Sequence, residues 1–215
     1  MNPEPFYLVI DLEATCDDQG SVPKHEMEII EVGAVLVEPE GLTPVGEFQT
    51  FIKPVRHPGL TPFCTRLTTI TQADVDGAPG FCDAMLALRR FVGDREVTFG
   101  SWGDYDRKQF EQDAQHHRVG LAFLARHKNL KKAFAHHLQE KKLLGMAQAL
   151  ERVGLPLVGT HHRGIDDARN IARLLPWSLG RAADPRVSGR PSPRREGPDG
   201  ARESRRSRGW DGRGS

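Results

Sequence analysis

The stretch FYLVIDLEAT, residues Phe6–Thr15, decides the fold of this chain. Its first half is a short run of bulky apolar residues without polar alternation, which is typical of a central strand buried on both faces. The run ends in two carboxylates, Asp11 and Glu13, which point to the same side because side chains alternate along a strand. Two acids are costly to bury there without a positive partner, so the stretch predicts a divalent metal site.

The segments that follow this strand predict a mixed α/β sheet. Strands over Glu28–Glu38 and Val45–Lys53, joined by a short turn, form an antiparallel meander. A fourth strand over Val97–Trp102 and a short edge strand around Phe123–Leu130 follow. Helical segments are expected at Phe63–Leu67, Thr71–Asp76, Phe81–Val92, Asp104–His117, Leu143–Val153 and Gly164–Leu175. No GxGxxG motif follows the first strand and no GKS/T loop occurs, which excludes dinucleotide-binding and P-loop interpretations.

Charge is distributed unevenly along the 215 residues. The whole chain carries +1, but residues 181–215 contain ten Arg, no Lys and five acids, which leaves −4 on residues 1–180. We expect one α/β domain over residues 1–180 and a disordered tail over 181–215, because the tail is rich in Arg, Gly, Pro and Ser. A weakly acidic body argues against a broad basic surface for duplex nucleic acid, but allows a narrow cleft charged by metal ions.

Cysteine spacing and hydropathy bear on the compartment. Cys16, Cys64 and Cys82 are widely separated and form no CxxC pair, which argues against a zinc site or disulfide framework and favours a reducing compartment. The first apolar run is broken by Asp11, and no stretch approaches the ~20 apolar residues of a membrane span. We therefore expect a cytoplasmic protein without a membrane partner. No stable protein partner can be inferred.

Two acids stand where the fourth strand passes into a helix, in the segment SWGDYDRKQF. Asp106 lies in the first helical turn, and Phe110, one turn later on the same face, could pack beneath it. Asp104 occupies the N-cap position. The helix dipole alone favours an acid at a helix N-terminus, so that explanation suffices for one of the two and fits Asp104 better.

The segment HHRGIDD, His161–Asp167, combines a histidine pair, a glycine and an acidic pair in seven residues. Asp166 and Asp167 open a helix, where acids are ordinary. His162 lies in the preceding loop, five residues before Asp167. We interpret His161 as an ordinary surface or capping residue and retain His162 as a candidate for catalysis.

Taken together, Asp11, Glu13, Asp106 and Asp167 place four carboxylates at the ends of strands or helices, with His162 nearby. Mg²⁺ and Mn²⁺ prefer oxygen ligands. Two such ions, ~3.5–4 Å apart, can clamp the attacking and leaving oxygens of a phosphoryl displacement. A histidine with a pKa near ~6.5 can accept a proton from the attacking water. The pattern predicts a site for two Mg²⁺ or Mn²⁺ ions that hydrolyses a phosphodiester.

These motifs resemble those of the DEDDh 3′–5′ exonucleases, over roughly Pro5 to Pro176. DLEAT is similar to the first exonuclease motif, SWGDYDRKQF to the second and HHRGIDDARNIA to the third, HxxxxD. The last two look most like the Eri-1-type and bacterial KapD-like exoribonucleases, and FCTRLTTITQADVD is similar to a segment between their first two motifs. The resemblance implies a ribonuclease-H-like fold, a mixed five-stranded sheet flanked by helices.

The resemblance also implies roles for individual residues. The metal-binding acids of the family correspond to Asp11, Glu13, Asp106 and Asp167, and the general base corresponds to His162. Asp106 is selected over its neighbour because the family's second-motif acid lies four residues before a Phe. Asp167 is selected because the family's His and Asp are five residues apart. The insertion GDY in the second motif departs from the shorter eukaryotic pattern, and the Arg-rich tail has no counterpart.

Substrate contacts follow from the same resemblance. Glu13 would touch both the metal and the 3′-terminal nucleotide. Ala14 and Thr15 would contact the 3′ end, and Leu67 would wedge against the terminal base. Unstacked bases could also stack on Phe63 or Trp102, for which ordinary core packing is the alternative.

The predicted function is a metal-dependent 3′–5′ exonuclease that acts on single-stranded 3′ ends of RNA or DNA, with RNA favoured, and releases nucleoside 5′-monophosphates. One alternative is a proofreading-type DNA exonuclease of the same fold. Another is a non-catalytic RNA-binding module whose Arg-rich tail holds nucleic acid electrostatically. The presence of all the expected acids and the histidine argues against a vestigial site.

Overall fold

The computed structural model describes residues 4–188, and its centre is a five-stranded sheet in the order β3-β2-β1-β4-β5. The strands are β1 Phe6–Ala14, β2 Ile29–Val37, β3 Pro44–Phe51, β4 Val97–Ser101 and β5 His127–Asn129. Strand β2 runs antiparallel to β1 and β3, whereas β4 is parallel to both β1 and β5. The predicted mixed sheet and its central first strand are therefore confirmed.

Helices cover both faces of this sheet. They are α1 Pro62–Thr68, α2 Gln72–Asp76, α3 Phe81–Val92, α4 Tyr105–His117, α5 Leu130–His137, α6 Met146–Arg152, α7 Gly164–Arg173, α8 Leu175–Ser178 and α9 Pro185–Ser188. The bounds of α3 agree with the sequence prediction, because its apolar spacing is regular and Gly93 ends it. The last predicted helix is divided between α7 and α8.

Helix α5 is absent from the sequence prediction. The predicted edge strand is shorter than expected, and α5 begins directly after it. Asn129 caps the helix by accepting a hydrogen bond from the backbone N–H of Lys132, at 2.9 Å. Leu130 and Phe134, one turn apart, are buried in the core. The other positions of this short helix include two lysines and two histidines. The apolar residues are therefore too few to show a helical period in the sequence.

The side chains of β1 alternate between two hydrophobic clusters. Val9 belongs to the cluster that contains residues of α5, α6, α7 and α8. Leu8 and Ile10 belong to the cluster on the other face, which contains residues of α3 and α4. Because Asp11 and Glu13 continue the alternation of Val9, they point towards the face that α7 covers.

A pair of glycines lets the N-terminus of α7 approach the sheet. A Cβ on Gly33 would lie 2.1 Å from the carbonyl carbon of Gly164, a distance at which atoms overlap. A Cβ on Gly164 would lie 3.0 Å from the carbonyl oxygen of Asp11. Only residues without a side chain fit this contact. It carries Asp167, in the first turn of α7, to the end of β1.

Residues between Arg181 and Arg186 contact the body of the protein. Arg181 pairs with Glu4 at 2.8 Å, and Arg152 donates to both oxygens of Asp184 at 2.9 Å. Helix α9 follows these contacts. These contacts extend past residue 180, where the sequence predicts the domain to end, and the boundary itself stays a prediction. The remainder of the predicted disordered tail, 189–215, lies outside the described residues.

Two further observations relate to the compartment expected from the sequence. Cys16, Cys64 and Cys82 are free thiols, and they are respectively half-buried, buried and exposed. Among the helices within residues 4–188, none is both long and apolar enough to cross a membrane.

Candidate metal centre and active site

A cleft of about 340 Å³ opens where β1 and β4 end, beside α1, α4 and the loop before α7. Its walls bring together residues from every motif that the sequence analysis singled out. The lining residues are Asp11, Leu12, Glu13, Ala14, Cys16, Met27, Leu67, Trp102, Tyr105, Asp106, Met146, His161, His162 and Asp167. The four candidate acids and both histidines of the third motif therefore share one cavity.

Three of the acids form a tight group. Carboxylate oxygens of Asp11, Glu13 and Asp167 all lie within 4.8 Å of one another. Glu13 and Asp167 are 8% and 4% exposed, and Asp11 is half-buried. Strand alternation brings the first two together, and the close approach of α7 adds the third.

The fourth acid, Asp106, is anchored beside this group. Its Oδ1 accepts a hydrogen bond from the backbone N–H of Leu12 at 3.1 Å, and its side chain is 5% exposed. Phe110, one turn later, is buried and packs edge-on against Phe99. Asp104 caps the same helix by position, but its carboxylate pairs at the surface with Lys132, at 2.8 Å. The structure thus places Asp106, and not Asp104, in the cleft.

Burial suppresses the ionisation of these carboxylates, and repulsion between acids adds to it at Asp11 and Glu13. Burial raises the pKa of Glu13 to about 8, and the negative charges of Asp167 and Glu31 contribute. Burial and then the charge of Asp106 hold the pKa of Asp11 well above its usual range. Burial also raises the pKa of Asp106 to about 6 and that of Asp167 above its usual value. Crowded, dehydrated carboxylate oxygens are the ligands that hard divalent cations prefer, so these residues fit Mg²⁺ or Mn²⁺.

This crowding makes the stability of the metal-free protein depend on pH. The folded state holds a proton on Glu13 up to about pH 8, whereas the ordinary glutamate pKa is 4.5. The folded state therefore binds more protons in this range, and the free energy of unfolding should fall as pH rises through it. Thermal denaturation in EDTA should give a lower Tm at about pH 8 than at about pH 6.

Mg²⁺ should counteract this loss of stability at higher pH, because it stabilises the ionised carboxylates that repel one another in its absence. The increase in Tm on adding Mg²⁺ should therefore be larger at the higher pH. Equal Tm values at the two pH values in EDTA, together with a Mg²⁺ effect independent of pH, would contradict the assignment of these acids to one cation site.

His161 and His162 contact the Asp167 carboxylate in different ways. The Nδ1 atom of His161 lies 2.9 and 3.1 Å from the two carboxylate oxygens of Asp167. His162 contacts the same carboxylate through its backbone N–H, at 3.0 Å, and its ring stacks on that of His161 with centroids 4.0 Å apart. His161, interpreted from the sequence as an ordinary surface or capping residue, is thus a direct partner of a candidate metal ligand.

His162 also has an unusual backbone and a perturbed pKa. Its φ of +64° lies in the left-handed region, which is uncommon for residues with a side chain. Burial and then the neighbouring His161 lower the pKa of the His162 imidazole below 6.5. The ring is therefore mostly neutral at neutral pH, the state in which it can accept a proton.

A family model described as Exonuclease matches residues 8–175 of this chain. The chain belongs to this exonuclease family. ERI1 exoribonuclease 3 of Mus musculus is 33% identical over 180 residues, which cover 79% of this chain and 52% of that protein. The probable 3′-5′ exonuclease KapD of Bacillus subtilis (strain 168) is 29% identical over 169 residues, 78% of this chain and 82% of that protein. The chain thus spans about half the length of the ERI1 relative.

Two solved nuclease structures share the fold of this chain. The nuclease domain of 3′hExo, a DEDDh family member bound to rAMP, has a TM-score of 0.73 and 27% identity, covering 84% of this chain and 94% of that one. Escherichia coli ExoI in a complex with single-stranded DNA has a TM-score of 0.63 at 10% identity, which shows the fold alone. The resemblance to DEDDh exonucleases and the predicted ribonuclease-H-like fold are confirmed.

Some of the residues expected to contact substrate line the cleft, and others do not. Ala14, Leu67 and Trp102 line the cleft. The Trp102 indole N–H donates to the carbonyl of Leu144 at 3.0 Å, so this residue is both part of the wall and anchored in the core.

Two expected contacts do not line the cleft. The Thr15 side chain is 2% exposed, and its hydroxyl accepts a hydrogen bond from the backbone N–H of Glu28, because the chain turns inward after β1. Phe63 lies one turn before Leu67 on α1 and is half-buried outside the cleft wall. Neither residue is part of the cleft lining, and the contacts of Thr15 and Phe63 with substrate stay predictions.

The structure also places residues at the site that the sequence did not predict. Tyr105, Met27 and Met146 line the cleft, and Tyr105 stands directly before Asp106 in the second motif. Glu31 is fully buried on β2 beside the acidic group. A charged residue within an otherwise apolar strand was the available signal for Glu31, since such a carboxylate needs partners.

Proposed function

We propose that this chain is a metal-dependent 3′–5′ exonuclease that hydrolyses single-stranded RNA from its 3′ end and releases nucleoside 5′-monophosphates. The observation that carries the proposal is the convergence of Asp11, Glu13 and Asp167 within 4.8 Å, in one cleft with His162. Membership of the exonuclease family supports the reaction class. The relatives named ERI1 exoribonuclease 3 and 3′-5′ exonuclease KapD support the direction, and the former supports RNA over DNA.

We infer that Asp11, Glu13, Asp106 and Asp167 hold two divalent cations, Mg²⁺ or Mn²⁺. When bound, such ions activate a water molecule and neutralise charge that develops at the phosphorus. The raised pKa values of these acids support the inference, since a cation would stabilise the ionised forms that the protein alone disfavours.

His162 is the proposed general base. A nitrogen of its neutral imidazole accepts a proton from the attacking water, whose oxygen forms a bond to the phosphorus of the last phosphodiester. The bond from that phosphorus to the 3′ oxygen of the penultimate nucleotide breaks, and this oxygen leaves with a proton from solvent. The products are a nucleoside 5′-monophosphate and a chain shortened by one nucleotide.

Glu13 and Ala14 are proposed to contact the 3′-terminal nucleotide, with Leu67 and Trp102 on the walls that face its base. Leu67 lines the cleft and is 37% exposed. An exposed apolar side chain in this position can be covered by the base of a bound nucleotide. Thr15 and Phe63 stay contacts predicted from the sequence, since neither is part of the cleft lining.

Leu67→Ala should raise KM for a short single-stranded RNA about 5-fold, which corresponds to the loss of about 1 kcal/mol of apolar contact. The value of kcat should stay within about twofold, because the acids and the histidine are untouched. Steady-state kinetics would measure both. Leu86→Ala is the matched control, because Leu86 is an exposed leucine on α3 that lines a different cavity. A KM change shared by both variants would remove Leu67 from the substrate site.

The function is tested with oligonucleotides of one sequence, as RNA and as DNA, single-stranded and duplex, carrying a 5′ label. Incubation with Mg²⁺ or Mn²⁺ should yield a ladder that shortens from the 3′ end, fastest for single-stranded RNA, and EDTA should abolish it. Chromatography should identify nucleoside 5′-monophosphates. Internal cuts, activity in EDTA or binding without cleavage would overturn the proposal, and faster hydrolysis of DNA would assign the chain to DNA instead.

A further inference from the structure

Glu31 is a buried carboxylate for which the proposed chemistry has no role. It lies on β2, directly opposite Glu13 in the antiparallel register, and its side chain is fully buried. Its negative charge contributes to the raised pKa values of Asp11 and Glu13. An acid at this position therefore opposes ionisation of the site next to it. Its presence calls for an interaction that offsets this cost.

Both oxygens of the Glu31 carboxylate are engaged by donors. Oε1 accepts a hydrogen bond from the side-chain amide of Gln49 on β3, at 2.6 Å. Oε2 accepts from the guanidinium Nε of Arg163 at 3.2 Å and from the backbone N–H of Gly164 at 3.1 Å. The carboxylate thus binds the segment that begins α7, and it is not part of the cleft lining.

The two residues that bind Glu31, Arg163 and Gly164, belong to the segment that joins His162 to Asp167. Arg163 directly follows His162, and Gly164 is the first residue of α7. The Arg163 carbonyl accepts the backbone N–H of Asp167 at 2.9 Å, and the Arg163 guanidinium packs over the ring of Phe51, 5.4 Å from its centroid. One carboxylate therefore holds the start of this helix against the sheet.

We propose that Glu31 is a positioning residue of the active site, acting through Arg163 and Gly164 to set the places of His162 and Asp167 relative to Asp11 and Glu13. The inference rests on the proposed function for the roles of those residues. The contact between Gly33 and Gly164 allows α7 to approach the sheet closely. The hydrogen bond from Gly164 to the Glu31 carboxylate then fixes the position of the helix start relative to β2. Partners of this kind that orient metal ligands typically change metal affinity or activity ~10–100-fold when they are removed.

The chain provides a matched control for Glu31. Glu47, on β3, pairs with Arg169 of the same helix α7 at 2.6 Å, but both side chains are 44% exposed. Glu47→Gln therefore removes one charged tie between the sheet and α7 without touching the segment that joins His162 to the helix. Glu31→Gln removes the buried negative charge that pairs with Arg163 and keeps the size of the side chain.

Glu31→Gln should lower kcat on single-stranded RNA about 10–100-fold at saturating Mg²⁺, with KM within about threefold of wild type. It should also weaken Mn²⁺ binding, measured by electron paramagnetic resonance without substrate, by about tenfold. Hydrogen exchange of the backbone amides in residues 162–166 should become faster. Glu47→Gln should leave all three measurements within about twofold of wild type, because an exposed ion pair contributes little.

Arg163→Met is the second variant, which keeps the aliphatic packing on Phe51 and removes the charge partner. If Glu31 acts through Arg163, this variant should lower kcat as well, and the double variant should be no worse than the poorer single one. The Arg163 side chain is 24% exposed, so this substitution tests the proposal even if Glu31→Gln does not fold.

A wild-type kcat, Mn²⁺ affinity and exchange pattern in Glu31→Gln, or a lower Tm as its sole effect, would overturn the proposal. So would additive losses in the double variant. Mn²⁺ binding and amide exchange need no nuclease reaction. If the wild-type chain cleaves no nucleic acid, the proposed function fails while these two measurements still decide the role of Glu31.

Discussion

Asp11→Asn is expected to reduce hydrolysis of single-stranded RNA by ~10³-fold or more, because it removes a charged ligand at the centre of the cleft. Asp11 lies within 4.8 Å of Glu13 and Asp167, and burial together with the charge of Asp106 disfavours its ionised form in the absence of a cation. Asparagine preserves the size of the side chain, so the sheet should form normally. Initial rates at saturating Mg²⁺ measure the effect, and Asp167→Asn should give a comparable loss.

Thermal denaturation distinguishes this loss of ligand from a loss of structure. In EDTA, Asp11→Asn should have a Tm equal to or above that of wild type, because the substitution removes a carboxylate that its neighbours repel. Added Mg²⁺ should then raise the Tm less than it does for wild type.

Asp104→Asn is the matched control for Asp11→Asn, since Asp104 pairs with Lys132 at the surface, outside the cleft lining. It should retain activity within about twofold of wild type, because an exposed ion pair contributes little. Retention of more than about a tenth of the wild-type rate by Asp11→Asn would count against the metal assignment, given the size of the loss expected for such a ligand.

His162→Ala is expected to lower kcat ~10²–10⁴-fold, the usual contribution of a general base. Mn²⁺ affinity should change much less, because the carboxylates remain. In the wild-type enzyme, kcat/KM should fall as pH falls through the His162 pKa, which burial places below 6.5, since protonation removes the acceptor. This acidic limb of the pH profile should flatten in the variant.

His161→Ala provides the comparison that assigns the base. The ring of His161 contacts both oxygens of Asp167 and lines the same cleft, so the two variants differ in which imidazole is lost. We expect His161→Ala to lower kcat less than about tenfold and to leave the acidic limb in place. The reverse order of severity, or a full rate for His162→Ala at neutral pH, would remove His162 from the role of base.

Much of this protein is determined locally in its sequence. The apolar run before Asp11 specifies a buried central strand, and strand alternation alone puts Asp11 and Glu13 on one side of it. Regular apolar spacing and Gly93 set the bounds of α3. These features depend on residues a few positions apart, so the pattern of the chain is sufficient to predict them.

Local patterns were insufficient where short segments carry mixed signals. Helix α5 has a narrow apolar stripe among lysines and histidines, and it was missed. Thr15 was expected to contact substrate from its place in the first motif, and Phe63 was expected to stack on unstacked bases, yet neither is part of the cleft lining. Side-chain direction at the end of an element depends on packing that the motif does not encode.

Tertiary structure alone decided how the third motif meets the first. The distance between Asp11 and Asp167 depends on the contact of Gly33 with Gly164, over a separation of 131 residues, and no spacing rule predicts it. The same packing turned His161 onto Asp167 and gave the buried Glu31 its partners at Arg163 and Gly164. The sequence by itself determined which acids face the same way on a strand. Tertiary packing decided which of them share a site, because that depends on how closely two backbones can approach.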